Sequence, residues 1–264
     1  MVNKVIVITG GSSGIGKALA REFGKRGSKV VITGRRLESL RATAIELKNE
    51  NIDVFAFAGD AASPEDNARL AEEAVRHFGK IDILINNAGV SMRALFQELD
   101  TEVIRRVMEV NFFGAVTLTK LCLPELIKNK GSIVGISSAA GFRGLPGRTG
   151  YSASKFALNG FLEALRTELR QEGVHVLTAC PGYTASDIRK NALTKDGSPQ
   201  AESPRDENKM MSAEECAAHI YKAIKKRKAL LILTWKGKLA VWMNRFFPTF
   251  TDWLVLKEME KEKQ

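Results

Sequence analysis

Short apolar runs alternate along the chain with longer stretches in which apolar residues recur at helical spacing. The runs are rich in Val, Ile and Phe and predict seven strands, at residues 5–8, 30–32, 54–57, 81–85, 132–136, 174–179 and 230–233. Helices are predicted near residues 15–26, 37–50, 64–78, 101–128, 151–172 and 212–227. The strands are continuously apolar, which is typical of burial on both faces. We therefore predict an α/β fold, a single domain with a doubly wound parallel seven-stranded sheet and helices on both faces.

One long segment does not follow this pattern. Residues 195–209 contain two prolines, one glycine and many charges, with no apolar period. Such a composition is typical of a loop that buries little surface, and we predict that the segment is mobile.

The composition limits the classes of protein that the chain can belong to. With 264 residues, 44% of them hydrophobic, it can bury one sizeable core. It has no purely apolar run of 18 residues and no room for a signal peptide before its first strand, so we expect neither a spanning helix nor secretion. The cysteines and histidines are scattered, which predicts buried reduced thiols in a cytoplasmic protein and no metal site. These residues are Cys122, Cys180, Cys216, His77, His175 and His219.

The formal net charge of +10 is concentrated near the end of the chain. Residues 222–264 hold eleven Lys and Arg against four Asp and Glu. A basic surface can bind nucleic acid or anionic lipid, or be only a solvated face. Because no nucleic-acid-binding module is recognisable, we expect no nucleic-acid partner.

A glycine-rich turn lies between the first predicted strand and the first predicted helix. It reads Thr9-Gly10-Gly11-Ser12-Ser13-Gly14-Ile15-Gly16. Glycine lets a backbone approach a pyrophosphate closely, and the helix N-terminus supplies free N–H groups, so this position favours a dinucleotide in a Rossmann-like fold. The alternative is an ordinary turn between a strand and a helix.

The end of the second strand bears on the choice of dinucleotide. An acid often stands there to bind the ribose 2′-hydroxyl, but this chain has Arg35 and Arg36. Guanidinium groups can hold a 2′-phosphate through charge-assisted hydrogen bonds, so we expect NADP(H) rather than NAD(H). The alternative is a pair of solvated arginines at a helix start.

A phenol and an amine lie one helical turn apart in the middle of the chain. Tyr151 and Lys155 are at i and i+4, thirteen residues after Ser138. An ammonium near a phenol lowers the pKa of the hydroxyl toward the range useful for acid–base catalysis. The spacing is also common on surface helices, so by itself it leaves that alternative open.

Taken in order, these motifs resemble the short-chain dehydrogenase/reductase family in its single-domain form. The resemblance covers roughly residues 4–235, and the joint order of the motifs is more specific than any one of them. The matching residues are Thr9-Gly10, Gly14-Ile15-Gly16, Asp60, Asn86-Asn87-Ala88-Gly89, Asn111, Ser137-Ser138, Tyr151, Lys155 and Pro181-Gly182.

The resemblance implies a role for each matching residue. Tyr151 is expected to be the general acid in reduction and the base in oxidation, with Lys155 lowering its pKa and binding the nicotinamide ribose. Ser138 is expected to orient the substrate oxygen, and Asn111 to hold a proton-relaying water. The expected cofactor-binding residues are Gly10, Ser12, Ser13, Gly14, Ile15, Gly16, Arg35, Arg36, Asp60, Asn87, Ala88, Gly89, Tyr151, Lys155, Pro181, Gly182 and Thr184. For Asp60 and Asn87, local turn capping is the alternative.

One stretch departs from the family pattern. After Pro181-Gly182, Thr184 occupies a place that is usually aliphatic, and Ser186 occupies the place of a usual Thr. Contacts of this loop with the cofactor therefore rest on weaker similarity than the other motifs.

The resemblance implies an oxidoreductase acting on a ketone or secondary alcohol, in a dimer or tetramer built on the helices near 101–128 and 151–172. With the two arginines after the second strand, we expect it to depend on NADP(H). Apolar residues flanking the catalytic groups favour a lipophilic steroid-, sphingoid- or fatty-acyl-like substrate, or else are ordinary core. They are Phe142, Leu145, Pro146, Tyr183, Val90 and Met92, with the polar Ser91 among them. The alternatives are a 3-oxoacyl-thioester reductase of the fatty-acid synthesis type and a catalytically silent dinucleotide-binding regulator.

The C-terminal segment extends beyond the resemblance. We treat residues 1–235 as the dinucleotide-binding and catalytic unit and 236–264 as an amphipathic extension of the same domain. An apolar stripe is predicted here, broken at Pro248, with Lys236, Lys238 and Arg245 interspersed. It comprises Leu239, Trp242, Met243, Phe246, Phe247, Phe250, Trp253 and Leu254. Residues 236–254 either contact a membrane surface peripherally, pack on their own domain, cover the substrate site or pair with another subunit.

Overall fold

The structure, a computed structural model, describes residues 1–203 and 210–261, and its elements follow the predicted order. The strands are β1 Val5–Ile8, β2 Lys29–Gly34, β3 Val54–Ala58, β4 Ile83–Asn86, β5 Ser132–Ile136, β6 His175–Cys180 and β7 Leu230–Ile232. The helices are α1 Gly14–Gly24, α2 Leu37–Asn49, α3 Pro64–Phe78, α4 Thr101–Met108, α5 Gly114–Lys128, α6 Thr149–Glu168, α7 Ala213–Lys225, α8 Trp235–Phe246 and α9 Pro248–Lys261. All seven predicted strands and all six predicted helical regions are thereby confirmed.

The strands form one parallel sheet in the order β3-β2-β1-β4-β5-β6-β7. Side chains of β1 alternate between two apolar cores: Ile6 and Ile8 face α1, α2 and α7, whereas Val5 and Val7 face α3, α5 and α6. Burial on both faces explains why the strands are continuously apolar. The strand order reverses between β1 and β4, so the crevice beyond their carboxyl ends is where this architecture binds ligands.

The helical stretch Thr101–Lys128 is not one continuous α-helix. A π-helical turn, Glu109–Phe113, separates α4 from α5 and contains Asn111. From the lack of a purely apolar run we expected no helix able to span a membrane. By length and mean hydropathy alone, however, this stretch could cross one. In the structure α5 packs against α3, β4 and β5 and α4 packs against α6, so its apolar character is explained by a place in the core.

The C-terminal extension forms two helices that meet at Pro248, as predicted. The Thr234 hydroxyl caps α8 by accepting from the amide of Gly237 at 3.1 Å. Leu239 and Met243 are half-buried on the inner side of α8, whereas Trp242 is exposed on its outer side. The predicted apolar stripe is therefore divided, with one edge on the domain and the other in solvent.

The loop predicted at 195–209 is only partly within the described residues. Its first part is a hydrogen-bonded turn, in which Asp196 accepts from the hydroxyl of Thr194 at 2.6 Å and from the amide of Ser198 at 2.9 Å. Residues 204–209 lie outside the described residues. The mobility of the segment stays a prediction.

The three cysteines are free and buried, as predicted, and burial raises the pKa of each thiol to about 12. Within residues 1–203 and 210–261, no three His, Cys, Asp or Glu side chains come together as a metal-binding group.

A buried carboxylate holds the amino end of the central strands together. Asp82, 2% exposed, accepts from the ammonium groups of Lys4 at 2.6 Å and Lys80 at 3.0 Å and from the amide of Val5 at 2.9 Å. Burial alone raises the pKa of Asp82, but these three hydrogen bonds together outweigh burial and hold the pKa below its ordinary value. The ionised carboxylate therefore stabilises the fold.

We expect Asp82→Asn to lower the free energy of unfolding by about 2 kcal/mol at neutral pH, since hydrogen bonds to a charged group are lost. The folded pKa is depressed, so the contribution of Asp82 is present above the ordinary carboxyl pKa of about 4 and disappears as pH falls through the folded pKa. Urea unfolding at pH 7 and near pH 3 measures this. The exposed Asp53→Asn is the control, and a difference from wild type that does not shrink in acid would contradict the assignment.

Candidate functional site

The glycine-rich turn between β1 and α1 has no room for side chains at the positions where glycine was predicted to matter. Gly10 and Gly14 have φ values of +64° and +51°, in the left-handed region that favours glycine. A Cβ on Gly16 would overlap the carbonyl of Gly10 and the side-chain amide of Asn87. Gly16 thus brings the start of α1 close to the turn, as a pyrophosphate site requires.

The turn is held by hydrogen bonds from the loop after β4. The Thr9 hydroxyl accepts from the amides of Asn87 and Ala88 at 3.0 and 2.9 Å, and Asn87 Nδ2 donates to the carbonyls of Thr9 and Gly10 at 2.8 and 3.1 Å. The side chain of Asn87 therefore has the local structural role that the sequence left as an alternative. Its contact with a cofactor stays a prediction.

The N-terminus of α1 fits the anionic part of a dinucleotide. Ser13 is the N-cap residue, yet its hydroxyl does not cap the helix. The first-turn amides, which include those of Ile15 and Gly16, have no partner within the helix and carry the positive end of its dipole. Ser186 lies against this turn, because its Cβ is 3.2 Å from where a Cβ on Gly14 would be.

Arg35 and Arg36 lie beside the same turn. Gly34 faces Ser12, whose hydroxyl oxygen lies 3.1 Å from where a Cβ on Gly34 would be, so the end of β2 is next to the glycine-rich turn. Both arginines are exposed, and Arg36 is the residue before α2. The structure thus places two exposed arginines at the corner where a ribose 2′-substituent is expected.

Asp60 follows β3 at the same edge of the sheet. Its carboxylate accepts from the amide of Ala62 at 3.0 Å, and its own amide donates to Asp66 at 2.7 Å. Asp60 therefore has the turn-capping role that was the alternative, and its contact with an adenine ring stays a prediction.

The structure brings Lys155, Asn111 and Gly89 together. A Cβ on Gly89 would lie 3.2 Å from Asn111 Oδ1 and 3.6 Å from Lys155 Nζ. Lys155 is 3% exposed and its ammonium donates to the carbonyl of Ile136, at the end of β5, at 2.8 Å. Burial lowers the pKa of Lys155 to about 8.

Tyr151 lies one helical turn before Lys155 and is 9% exposed. Burial raises the pKa of its phenol, and a hydrogen bond with Ser138 and the charges of Arg148 and Arg189 only partly offset that effect. The ammonium of Lys155 lies 5.7 Å from the centre of the Tyr151 ring. The expected lowering of the phenol pKa by Lys155 is therefore not found in this structure, because burial dominates and the amine bonds the Ile136 carbonyl instead.

Two residues that position others, Ser154 and Asn159, were not predicted from the sequence. Ser154 acts together with the predicted Asn111. Asn111 accepts from the amide of Val90 at 2.8 Å and donates from Nδ2 to the carbonyl of Val90 at 3.0 Å and to the hydroxyl of Ser154 at 2.9 Å. Ser154 donates in turn to the carbonyl of Tyr151 at 2.8 Å. These bonds connect the loop after β4 to the turn of α6 that carries Tyr151. Both protons of Nδ2 are used within the protein, so the water-holding role of Asn111 stays a prediction.

Asn159 is the second positioning residue, and it holds the loop that carries Ser138. It accepts from the hydroxyl of Ser137 and donates to the carbonyl of Gly141 at 2.8 Å. The only signal for Asn159 in the sequence was its spacing, since it is a polar residue on the same helix face as Tyr151 and Lys155. That spacing could not be interpreted without knowing which loop covers this face.

The loop after β6 gives a mixed outcome. Thr184 is buried and its hydroxyl donates to the carbonyl of Gly182 at 3.4 Å, whereas Ser186 faces the glycine-rich turn. Ser186 is thus better placed than Thr184 for a phosphate, although Thr184 remains a prediction. Gly182, which follows Pro181, packs so closely on Thr234 that a Cβ would overlap it.

Comparison with known proteins agrees with this geometry. The family model for the short chain dehydrogenases matches residues 4–197. The chain belongs to the short-chain dehydrogenase/reductase family. It is 35% identical over 268 residues to dehydrogenase/reductase SDR family member 7B of Mus musculus, covering 99% of this chain and 83% of the mouse protein. It is also 35% identical over 262 residues to an SDR family protein 7-like of Dictyostelium discoideum, covering 97% and 81%.

Solved structures show the same fold. A short-chain dehydrogenase/reductase from Burkholderia phymatum in complex with NAD has a TM-score of 0.84 at 24% identity, covering 92% of this chain and 93% of that one. An alcohol dehydrogenase from Thermococcus sibiricus complexed with 5-hydroxy-NADP has a TM-score of 0.76 at 24% identity, covering 87% and 95%. Membership of the family makes this chain an oxidoreductase of CH–OH groups that uses a nicotinamide dinucleotide.

The buried amine gives this family member an expected pH dependence. With a pKa of about 8, Lys155 is charged below that pH and loses its charge as pH rises through it. We expect kcat/KM for the reduced cofactor, which reports the free enzyme, to fall above about pH 8. A steady-state profile from pH 6 to 10 measures this. Lys155→Arg, which does not titrate in this range, is the control, and a wild-type profile that stays flat to pH 10 would contradict the assignment.

Proposed function

We propose that the protein is an NADP(H)-dependent oxidoreductase that transfers a hydride between the nicotinamide and a ketone or secondary alcohol, with a lipophilic substrate. The proposal rests on one observation. Asn111 and Lys155 lie beside Gly89, and Lys155 lies beside the Tyr151 ring, at the same carboxyl edge of the sheet as the glycine-rich turn. A regulator without turnover has no need of these buried acid–base groups, so the catalytically silent alternative is disfavoured.

The residues of the site suit proton transfer to a carbonyl oxygen. A nicotinamide cofactor, when bound, would supply a hydride for the carbonyl carbon. Negative charge then develops on the oxygen, where the phenol of Tyr151 gives up its proton and the hydroxyl of Ser138 donates a hydrogen bond. The raised pKa keeps Tyr151 protonated at neutral pH, as a general acid requires. The positive charges of Arg148 and Arg189 favour the phenolate that remains.

Fewer residues support a lipophilic substrate in the structure than were named from the sequence. Val90 and Met92 are buried in a small apolar cluster around Tyr151, and Ser91 between them is buried as well, so these residues have the core role that was the alternative. Pro146 and Tyr183 are exposed near the site, and Phe142 and Leu145 are half-buried. These four apolar or aromatic side chains support a lipophilic substrate.

The second candidate is a 3-oxoacyl-thioester reductase. The positive charges of Arg148 and Arg189 act on the phenol of Tyr151, so they favour negative charge at the reacting oxygen of either substrate. The two candidates share the same catalytic residues and differ only in what binds beyond the carbonyl.

Oxidation of NADPH with steroid and sphingoid ketones and with 3-oxoacyl thioesters tests the function. Turnover of the ketones but not of the thioesters is expected, and the reverse would favour the second candidate. With the best substrate, Tyr151→Phe is expected to lower kcat by about 10²- to 10⁴-fold, because the general acid is lost.

The affinity of Tyr151→Phe for NADPH is expected to change less than about twofold, measured by fluorescence titration, since the proton is needed in the transition state. Tyr221→Phe, on α7, is the matched control and is expected to retain wild-type turnover. Near-normal turnover of Tyr151→Phe would remove it as the acid.

The preference for NADP(H) is tested at Arg35 and Arg36. We expect the double variant Arg35→Ala/Arg36→Ala to raise KM for NADPH by about 10- to 100-fold, because charge-assisted hydrogen bonds to the 2′-phosphate are lost, and to leave KM for NADH nearly unchanged. Arg41→Ala, which changes an exposed arginine on α2, is the control. Equal effects on both cofactors, or a wild-type enzyme that prefers NADH, would overturn the preference.

We further infer a homodimer or homotetramer through α5 and α6 in the cytoplasm. Phe113 and Leu121 on or beside α5 and Phe156 on α6 are 48%, 40% and 46% exposed, which supports a subunit contact there. The free thiols support a reducing compartment.

A further inference from the structure

The C-terminal helices carry an unusual concentration of exposed apolar side chains. Of the seventeen large hydrophobic side chains that are exposed in the described part of the chain, eight lie between Trp235 and Leu256. Five of the eight are aromatic residues that contact one another: Trp242 packs on Phe246 and Phe247 with ring centres 5.4 and 5.9 Å apart, and Phe250 stacks on Trp253 at 5.8 Å. Scattered exposed apolar residues are ordinary, but a contiguous patch marks an interaction site.

Cations accompany this aromatic surface, which we define as the exposed sides of α8 and α9. On α8, Lys238, Trp242 and Arg245 follow one another at helical spacing and all three are exposed. On α9, the ammonium of Lys257 lies 3.8 Å from the centre of the Trp253 ring. The surface therefore combines aromatic anchors with positive charge on the same helix faces.

The aromatic surface is held in place against the catalytic loop. Asn244, on the inner side of α8, donates to the carbonyl of Phe142 at 3.0 Å and accepts from Arg143 at 3.0 Å. Arg143 also forms an ion pair with Asp252 of α9. Phe142 and Arg143 follow directly on the turn that Ser138 begins, so both helices are fixed beside the mouth of the site.

We propose that the aromatic surface docks on the interface of an anionic phospholipid bilayer, with Trp242, Phe246, Phe247, Phe250 and Trp253 as anchors. Tryptophan and phenylalanine next to basic residues suit the boundary between headgroups and acyl chains. Each Lys or Arg near an anionic membrane adds favourable binding energy that weakens with salt. The segment 222–264, with eleven basic and four acidic residues, has the matching charge.

A second copy of the chain fits this surface less well than a bilayer. In a twofold-symmetric contact the same patch lies on both sides, so each copy would bring Lys238 and Arg245 toward those of the other. Like charges in a dehydrated contact are repulsive. An anionic lipid surface instead offers opposite charge and an apolar layer to the same residues.

The tryptophans provide a direct readout, because all three in the chain lie between residues 235 and 253. The full chain is mixed with vesicles of phosphatidylcholine alone or of phosphatidylcholine with phosphatidylglycerol, and binding is followed by sedimentation and tryptophan emission. We expect binding and a blue shift with the anionic vesicles, quenching by lipids brominated in the upper acyl chain, and weaker binding at high salt.

Variants assign the binding to the aromatic surface. Trp242→Ser/Phe246→Ser is expected to weaken partitioning by about tenfold or more, since two apolar anchors are lost. Lys238→Glu/Arg245→Glu is expected to remove the preference for anionic vesicles. The matched control is Ile45→Ser/Phe96→Ser, which removes two side chains that are 60% and 65% exposed on other elements and is expected to bind as wild type.

The surface does not depend on the reaction, so its test is separate from that of the proposed function. Turnover of a water-soluble ketone without vesicles is expected to be unchanged in all these variants, which shows that they are folded. No binding of the full chain to anionic vesicles, or equal binding of the aromatic and control variants, would overturn the proposal. One further result would overturn it: the wild type does not bind vesicles, and Trp242→Ser/Phe246→Ser changes a dimer into a monomer in analytical ultracentrifugation. The aromatic surface would then be a subunit contact.

Discussion

The hydrogen bonds between Thr9 and the loop after β4 connect the two halves of the sheet, at the carboxyl ends of β1 and β4 where the candidate site lies. The sheet reverses its order between β1 and β4, so the loops after these strands separate and leave a crevice. Thr9 and Asn87 bridge the loops with hydrogen bonds of 2.8 to 3.0 Å. The glycine-rich turn on one side and the proposed catalytic residues on the other depend on this junction for their relative position.

Burial acts in opposite directions on the pKa values of the two proposed catalytic groups, Tyr151 and Lys155. It raises the pKa of Tyr151, whose charged form is an anion, and lowers that of Lys155, whose charged form is a cation. Both groups are thereby moved toward their neutral forms. Ser138, Arg148 and Arg189 counteract this at the phenol, and the carbonyl of Ile136 binds the amine. The phenol thus remains a proton donor close to groups that favour the phenolate.

Packing also joins the C-terminal helices to the site. Thr234 fits against Gly182 without room for a Cβ, and Arg143 connects the turn after Ser138 to α8 and α9. The two helices therefore pack on the segment that carries the proposed catalytic residues, and their outer sides add exposed apolar surface. In this arrangement a bilayer bound by the aromatic surface would lie next to the mouth of the site.

The sequence was sufficient to predict the strands and helices. It was also sufficient to recognise those candidate residues whose neighbours are close along the chain. Continuous apolar runs predicted the seven strands, since burial on two faces excludes polar residues, and the glycine-rich turn was recognisable because its backbone demands are local. Tertiary structure alone decided the roles of Asn111, Ser154 and Asn159, because Asn111 and Asn159 bind groups 18 to 43 residues away, Ser154 among them. It also decided that burial raises the pKa of the Tyr151 phenol, and that the apolar stripe of α8 has one edge in solvent. Desolvation and long-range hydrogen bonds depend on which segments meet in space, and the spacing of residues along a chain does not contain that information.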